Sequence, residues 1–209
     1  FYEQPKEDYV NEIEFRFVPG AQERFEAIGN GTAQIVSDLL PEDARTLTGN
    51  SEIQIVPVSI SGQPLQFLMN TSRFPTENLA VRQALIYGIS RNVILDTVYQ
   101  RFSSIAWGPL NLSGIYDNQG VVGLYSTDIE KARILLTAAG YQDNNADGLL
   151  DIGGADFSIT LITPTWDFTP AVARLLEEQW RTIGIKIKSV PVATLEALKA
   201  QVANNDYNL

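Results

Sequence analysis

From residue 11 to 18 the chain reads NEIEFRFV, with Ile13, Phe15 and Phe17 alternating against Glu12, Glu14 and Arg16. A period of two predicts a half-buried strand, closed by Pro19-Gly20. A short helix carrying Phe25 and Ile28 follows, broken at Gly29 and Gly31. Further strands are predicted over 33–36, over 52–58 (EIQIVPV) and over 66–70, with a short helix over 41–47. Beyond Asn70 the texture changes. Residues 78–99 place Val81, Leu85 and Ile89 on one helical stripe, interrupted at Ser90-Arg91, and residues 102–125 are Gly-, Ser-, Asn- and Pro-rich and irregular. Thr127-x-x-Glu130 is a capping box opening a helix that turns Leu135, Leu136 and Ala139 inward and stops at Gly140. A strand over 157–162 leads to a helix capped by Thr169-Pro170, which carries Leu175, Leu176 and Trp180 and ends at Gly184. A strand over 185–190 and a helix over 194–203 close the chain. Helices alternate with strands throughout, so the fold class is α/β, or α+β with mixed sheets.

The 209 residues suffice for one large domain or two small ones. With 44% apolar and 19% charged residues the composition is that of a globular chain able to bury a core. A net charge of −10 argues against nucleic acid and anionic membrane surfaces as partners. There is neither cysteine nor histidine, which removes disulfides, thiolate and imidazole metal ligands, and Ser-His-Asp or Cys-His catalysis. No apolar run approaches the roughly 20 residues of a membrane span. The opening FYEQPKEDYV has neither the basic start nor the apolar core of a signal peptide, so the chain reads as mature or as a piece of something longer.

Candidate chemistry is sparse. The pairs Glu177-Glu178 and Glu12/Glu14 supply carboxylates for a glycosidase-like hydrolase, but they occupy the polar sides of periodic elements. The fragments GNG at 29–31 and GG at 153–154 lack phosphate-loop spacing and read as turns. Trp180 falls in register with an apolar helix face and reads as core, whereas Trp107 and Trp166 sit in loops and serve either ligand contact or loop packing. Residues 143–151, DNNADGLLD, hold calcium-loop donors at the first, third, fifth, seventh and ninth places: Asp143, Asn145, Asp147, the Leu149 carbonyl and Asp151. Gly148 stands at the sixth place, but the twelfth is Gly154, which offers no carboxylate. Asn, Asp and Gly are also the commonest turn formers. The loop is thus either a weak calcium site, as in a calcium-dependent structural module, or a polar turn.

The run from Asn70 to Arg91, N-x-x-x-F-P-x-x-N-x-x-V-R-Q-A-L-x-x-x-I-x-R, resembles the signature of the family 5 extracellular solute-binding proteins, the oligopeptide-, dipeptide- and nickel-binding components of ABC importers. Phe74-Pro75 inverts the family's usual order, and Ser90 stands where Asp precedes Arg. EIEFRFVPG followed by RFEAIGNGTAQIV, then YSTDIEKARILLTAAGY, DNNADGLLD and LLEEQWRTIGIKIKSVPV, are similar to family segments in the same order. The resemblance implies a type II periplasmic-binding-protein-like architecture of two lobes, with residues 1–70 in the first lobe and 71–209 in the second. It places the chain as a central fragment with part of each lobe. It implies non-enzymatic capture of a solute, a peptide in the first instance, by a monomer outside the cytoplasmic membrane, lipid-anchored or free, that serves ABC transporter membrane subunits. No cofactor is implied. By position in the family pattern Ser37, Asp38, Leu39, Phe67, Asn70 and Trp107 are the ligand-binding candidates, with strand core (Leu39, Phe67) or a turn cap (Asp38) as the alternative roles. Arg82 is expected to tie its helix to neighbouring carbonyls or a carboxylate rather than to meet solute.

Overall fold

The computed structural model describes residues 10–58, 64–109 and 119–209. They divide into two compact units, Phe1–Ile55 and Val56–Leu209. The first unit contains helices α1 (Ala21–Gly29) and α2 (Pro41–Leu47). Arg24 organises its turns: Nη1 donates to the Val18 and Pro19 carbonyls at 2.9 and 2.7 Å, and Nη2 to Asp38 O at 3.1 Å. Helix α2 starts on Pro41, whose fixed φ suits a first turn, and buries Ala44 and Leu47.

The strands expected over 11–18, 33–36 and 52–58 are absent. Among the described residues none of these segments joins a ladder, and Phe15 and Phe17 stand 91% and 95% exposed. Alternation sets which face a strand would bury, but a strand exists only when its backbone groups find a partner.

The second unit holds the core. Its helices are α3 (Leu79–Tyr87), α4 (Arg91–Thr97), α5 (Ile129–Ala138), α6 (Thr169–Arg181) and α7 (Leu195–Ala203). A small hairpin pairs β1 (Asp151–Ile152) with β2 (Ala155–Asp156), and β3 (Ser158–Pro164) pairs in parallel with β4 (Lys186–Val192) across α6. Val81, Ala84 and Leu85 of α3 meet Ala132 and Leu136 of α5. Leu176 and Trp180 of α6 close over Ile159, Ile185 and Ile187 of the sheet. Trp180 is fully buried, as its register predicted, and its Nε1 donates to Leu85 O at 2.8 Å, fastening α6 to α3. Gly88, at the end of α3, lets the helices approach: a Cβ there would lie 2.7 Å from Ile183 Cδ1.

Two caps differ from expectation. Helix α5 is capped by Asp128, whose carboxylate accepts from Lys131 N, not by Thr127. The Thr127 hydroxyl donates instead to Ile89 O at 2.6 Å, tying the helix start to the end of α3. Thr169 is the first residue of α6 rather than its cap, and Phe168 precedes it without a side-chain bond.

Residues 205–209 complete the sheet. Leu209 N donates to Thr160 O and Leu209 O accepts from Ile162 N, the alternation of a parallel ladder on the edge of β3 opposite β4. On its far side Asn208 O accepts from Asn70 N at 2.8 Å. With neighbours on both edges β3 lies inside the sheet, and Leu161, Ile162 and Thr163 are buried in succession, as parallel strands covered on both faces require. The segment 66–70 alternates as expected, Phe67 and Met69 packing on the core and Leu68 facing out. It contributes one backbone bond rather than a full strand.

Candidate functional site

The six ligand candidates fall into three environments. Ser37 and Asp38 are exposed, and the Ser37 hydroxyl donates to Asp38 Oδ2 at 3.1 Å. Asp38 adopts φ 57°, a left-handed conformation that Asp tolerates better than most residues, and Arg24 pins its carbonyl. Leu39 is partly buried.

Phe67 sits edge-on against Trp180, ring centroids 5.6 Å apart, as part of the core wall. Asn70 is buried and its amide is engaged throughout: Nδ2 donates to Asn205 Oδ1 and Tyr207 O, and Oδ1 accepts from Ser72 N. Around it Asn208 Nδ2 donates to Phe74 O and Thr76 Oγ1, Asn208 Oδ1 accepts from Thr160 N, and the Thr76 hydroxyl donates to Asn70 O. Asn70, Thr76 and Asn208 are thus a buried, mutually satisfied polar network joining three chain segments. Arg73 adds an outer ion pair to Asp206 at 2.5 Å.

Trp107 belongs to a different corner. The Arg91 guanidinium lies over its indole, 5.1 Å from the ring centroid, and Arg91 Nη1 donates to Tyr125 O at 2.9 Å. Tyr125 packs on Tyr87, whose other neighbour is the Lys131 ammonium, 4.2 Å from the ring. Burial pushes the Arg91 guanidinium below its ordinary pKa. This cation–aromatic cluster was not foreseen, because a helix start and a loop share no periodicity. Trp166 is partly buried in the turn ahead of α6.

The acidic loop is wired to its own backbone. Asp143 accepts from Ala146 N and Gly148 N, Asn145 Oδ1 from Asp147 N, Asp147 Oδ1 from Leu149 N, and Asp151 Oδ2 from Asn144 N. Leu149 and Asp151 are buried, while Asp143, Asn145 and Asp147 face solvent. Among the described residues no group of three acidic side chains is placed to hold a metal ion.

Carboxylate pairs for hydrolysis fare no better. Glu177 and Glu178 are exposed on α6. Glu14 bonds Arg16, which holds its carboxyl below the usual range, opposite to the raised value of a general acid. Among the described residues two shallow grooves, of about 240 and 330 Å³, open to solvent, and neither contains a ligand candidate.

Residues 1–209 match the family of bacterial extracellular solute-binding proteins, family 5, middle region. The chain belongs to this family. Heme-binding protein A of Haemophilus influenzae is 27% identical over 183 residues, 87% of this chain and 31% of that protein. NikA from Brucella suis, solved with Fe(III)-EDTA, superposes with a TM-score of 0.74 at 19% identity, covering 91% of this chain and 39% of NikA. The oligopeptide-binding protein AppA of Bacillus subtilis, solved with a nonapeptide, gives 0.67 at 25% identity, covering 91% of this chain and 38% of AppA. The family 5 chain described here thus spans about a third of the length of such relatives. Its fold is the periplasmic-binding-protein fold expected from the resemblance. No helix among the described residues is long and apolar enough to cross a membrane.

Proposed function

We propose that this family 5 chain is part of an extracytoplasmic protein that captures a peptide and hands it to the membrane subunits of an ABC importer, without catalysing a reaction. The observation that carries the reading is the family match across residues 1–209. The likeness to AppA, solved with a nonapeptide, supports peptide as the solute class. The working assignment keeps residues 1–70 in the first lobe and 71–209 in the second, in a monomer held outside the cytoplasmic membrane with or without a lipid anchor. Within the first unit Ser37, Asp38 and Leu39 are the ligand-facing residues. Within the second it is Trp107, while Phe67 and Asn70, committed to core and network, support the site as scaffold. The loop 143–151 is a self-bonded turn in this reading, its oxygens already serving backbone amides.

The test uses the natural full-length protein in equilibrium dialysis against a mixed pool of di- to nonapeptides, with a panel of glycosides assayed for hydrolysis in parallel. Retention of peptides without glycoside turnover is the expected result. Turnover of a glycoside with no peptide retained would replace this function by the hydrolase.

A further inference from the structure

One side of β3 is closed by residues 205–209, and β4 covers the other, so the outer edge of β4 ends the sheet. Lys186 N donates to Phe157 O, and Val192 O accepts from Thr165 N. The register sets Lys186 opposite Ser158 and Val192 opposite Pro164. Lys186, Lys188, Val190 and Val192 therefore turn their backbone groups to β3, and Ile187, Ser189 and Pro191 turn theirs outward. Among the described residues no strand pairs with that outer side. Lys186, Lys188, Ser189 and Pro191 are exposed, and the groove of about 330 Å³ that opens to solvent is bordered by Lys186, Ile187 and Lys188.

A row of unpaired N–H and C=O groups is a template for another strand. A second copy of the chain supplies one, its own β4, related by a two-fold axis and running antiparallel. In such a pair the outward residues of one copy face outward residues of the other. Registers that set Pro191 against Ile187, Ser189 or Pro191 itself call for an N–H that proline lacks. The remaining registers set Ile187 against Ile187 or against Ser189. They bring Lys188 opposite Lys186 or opposite itself, and like charges facing each other repel. Lys186 has Asp156 beside it, with Nζ 2.6 Å from Oδ2, whereas Lys188 enters no ion pair among the described residues. Pro191 takes no bond from β3, because an N–H at its place would point away from that strand.

We propose that Pro191 and Lys188 bar the outer edge of β4 from pairing with a second copy of the chain, and so keep the protein a monomer. Between them they disable every two-fold register the edge offers. This holds whatever solute the protein captures.

The full-length protein is compared with its Pro191→Thr, Lys188→Thr and doubly substituted variants by size-exclusion chromatography with light scattering, from micromolar to millimolar protein. Both positions are exposed, and threonine suits an extended backbone. The unaltered protein should keep its monomer mass throughout. Pro191→Thr frees the register in which Ser189 faces Ser189, and should move to about twice that mass as concentration rises. The double variant should do so at lower concentration. Ser189→Pro, added to the double variant, returns a proline to the outward row without removing a bond to β3, and should restore the monomer. A doubled mass that Ser189→Pro does not reverse places the contact elsewhere and overturns the proposal. A double variant that stays monomeric over the whole range overturns it as well, as does an unaltered protein that already pairs.

Discussion

Replacing Asn208 by Ala tests whether the buried polar network, rather than apolar packing alone, holds residues 205–209 in the sheet. Asn208 is 3% exposed, and its side chain makes bonds of 2.8 Å from Thr160 N, 3.0 Å to Phe74 O and 3.2 Å to Thr76 Oγ1. Truncation strands the Thr160 N–H and the Phe74 carbonyl, while Thr76 keeps its 2.6 Å bond to Asn70 O. An orphaned buried group costs about 1–3 kcal/mol, and water reaching the emptied site recovers part of the cost for two such groups. The expected loss is about 3 kcal/mol. With a urea dependence of about 1–3 kcal/mol per molar, the unfolding midpoint should fall by roughly 1–3 M. Trp180 fluorescence is a suitable reporter, since its ring lies against Phe67, three residues from Asn70. Asn208→Leu restores volume but none of the bonds and should fall as far as Ala. Arg73→Ala is the contrast, because its pair with Asp206 is solvent-exposed and worth about 0–1 kcal/mol. A loss under about 1 kcal/mol in Asn208→Ala, or full rescue by Leu, would show that packing fixes the segment and would refute the reasoning.

Arg82→Ala should cost about 1.5–3 kcal/mol in urea unfolding, because Nη1 donates at 2.8 Å to both the Thr76 and Glu77 carbonyls; lost peptide retention at unchanged stability would contradict this. Gly184→Ala should destabilise by about 1–3 kcal/mol, since φ is 80° and a Cβ would lie 2.8 Å from Leu150 Cγ; an unchanged midpoint would place that turn in another conformation. Thermal unfolding in millimolar calcium and in EDTA should coincide, because the Asp143, Asn145 and Asp147 oxygens already accept backbone amides. A calcium-dependent rise that Asp147→Ala removes would make the loop a metal site.

What could be read from the residues depended on how local the cause was. The stripe of Val81 and Leu85, the register of Trp180 and the runs that became β3 and β4 carry their own periodicity, so those elements formed where expected. The carbonyl role of Arg82 was legible because its partners, Thr76 and Glu77, lie in the turn just before its helix. The strands of the first unit were misread because alternation says nothing about who supplies the facing edge. The capping box failed by one residue: Asp128 and Thr127 both suit an N-cap, and the tie to Ile89 that claims Thr127 comes from another helix. NNDYNL, residues 204–209, is polar in composition, yet its Asn208 is among the most buried polar residues. Its partners lie 132 and 134 residues away, beyond any local pattern. Arg91 over Trp107 was invisible for the same reason.

The position of residues 205–209 has a consequence for how the second unit comes into being. They fill the gap between Asn70 and β3, and to the Asn70–Thr76 side they bond across 132 to 138 residues of sequence. During synthesis α3, α5 and α6 can begin to pack on a sheet whose interior place is vacant, while the Thr160 and Ile162 backbone groups await partners that emerge later. Loop-closure entropy must be overcome before those distant contacts return any free energy, so the last step is slow by topology rather than by weak local propensity. At a ribosomal rate of about 5–20 residues per second, the 16 residues from the end of β4 at Val192 to Asn208 take roughly 1–3 seconds to appear. For that interval one edge of β3 is bare, a surface on which chaperones and stray strands compete with the chain's own completing segment.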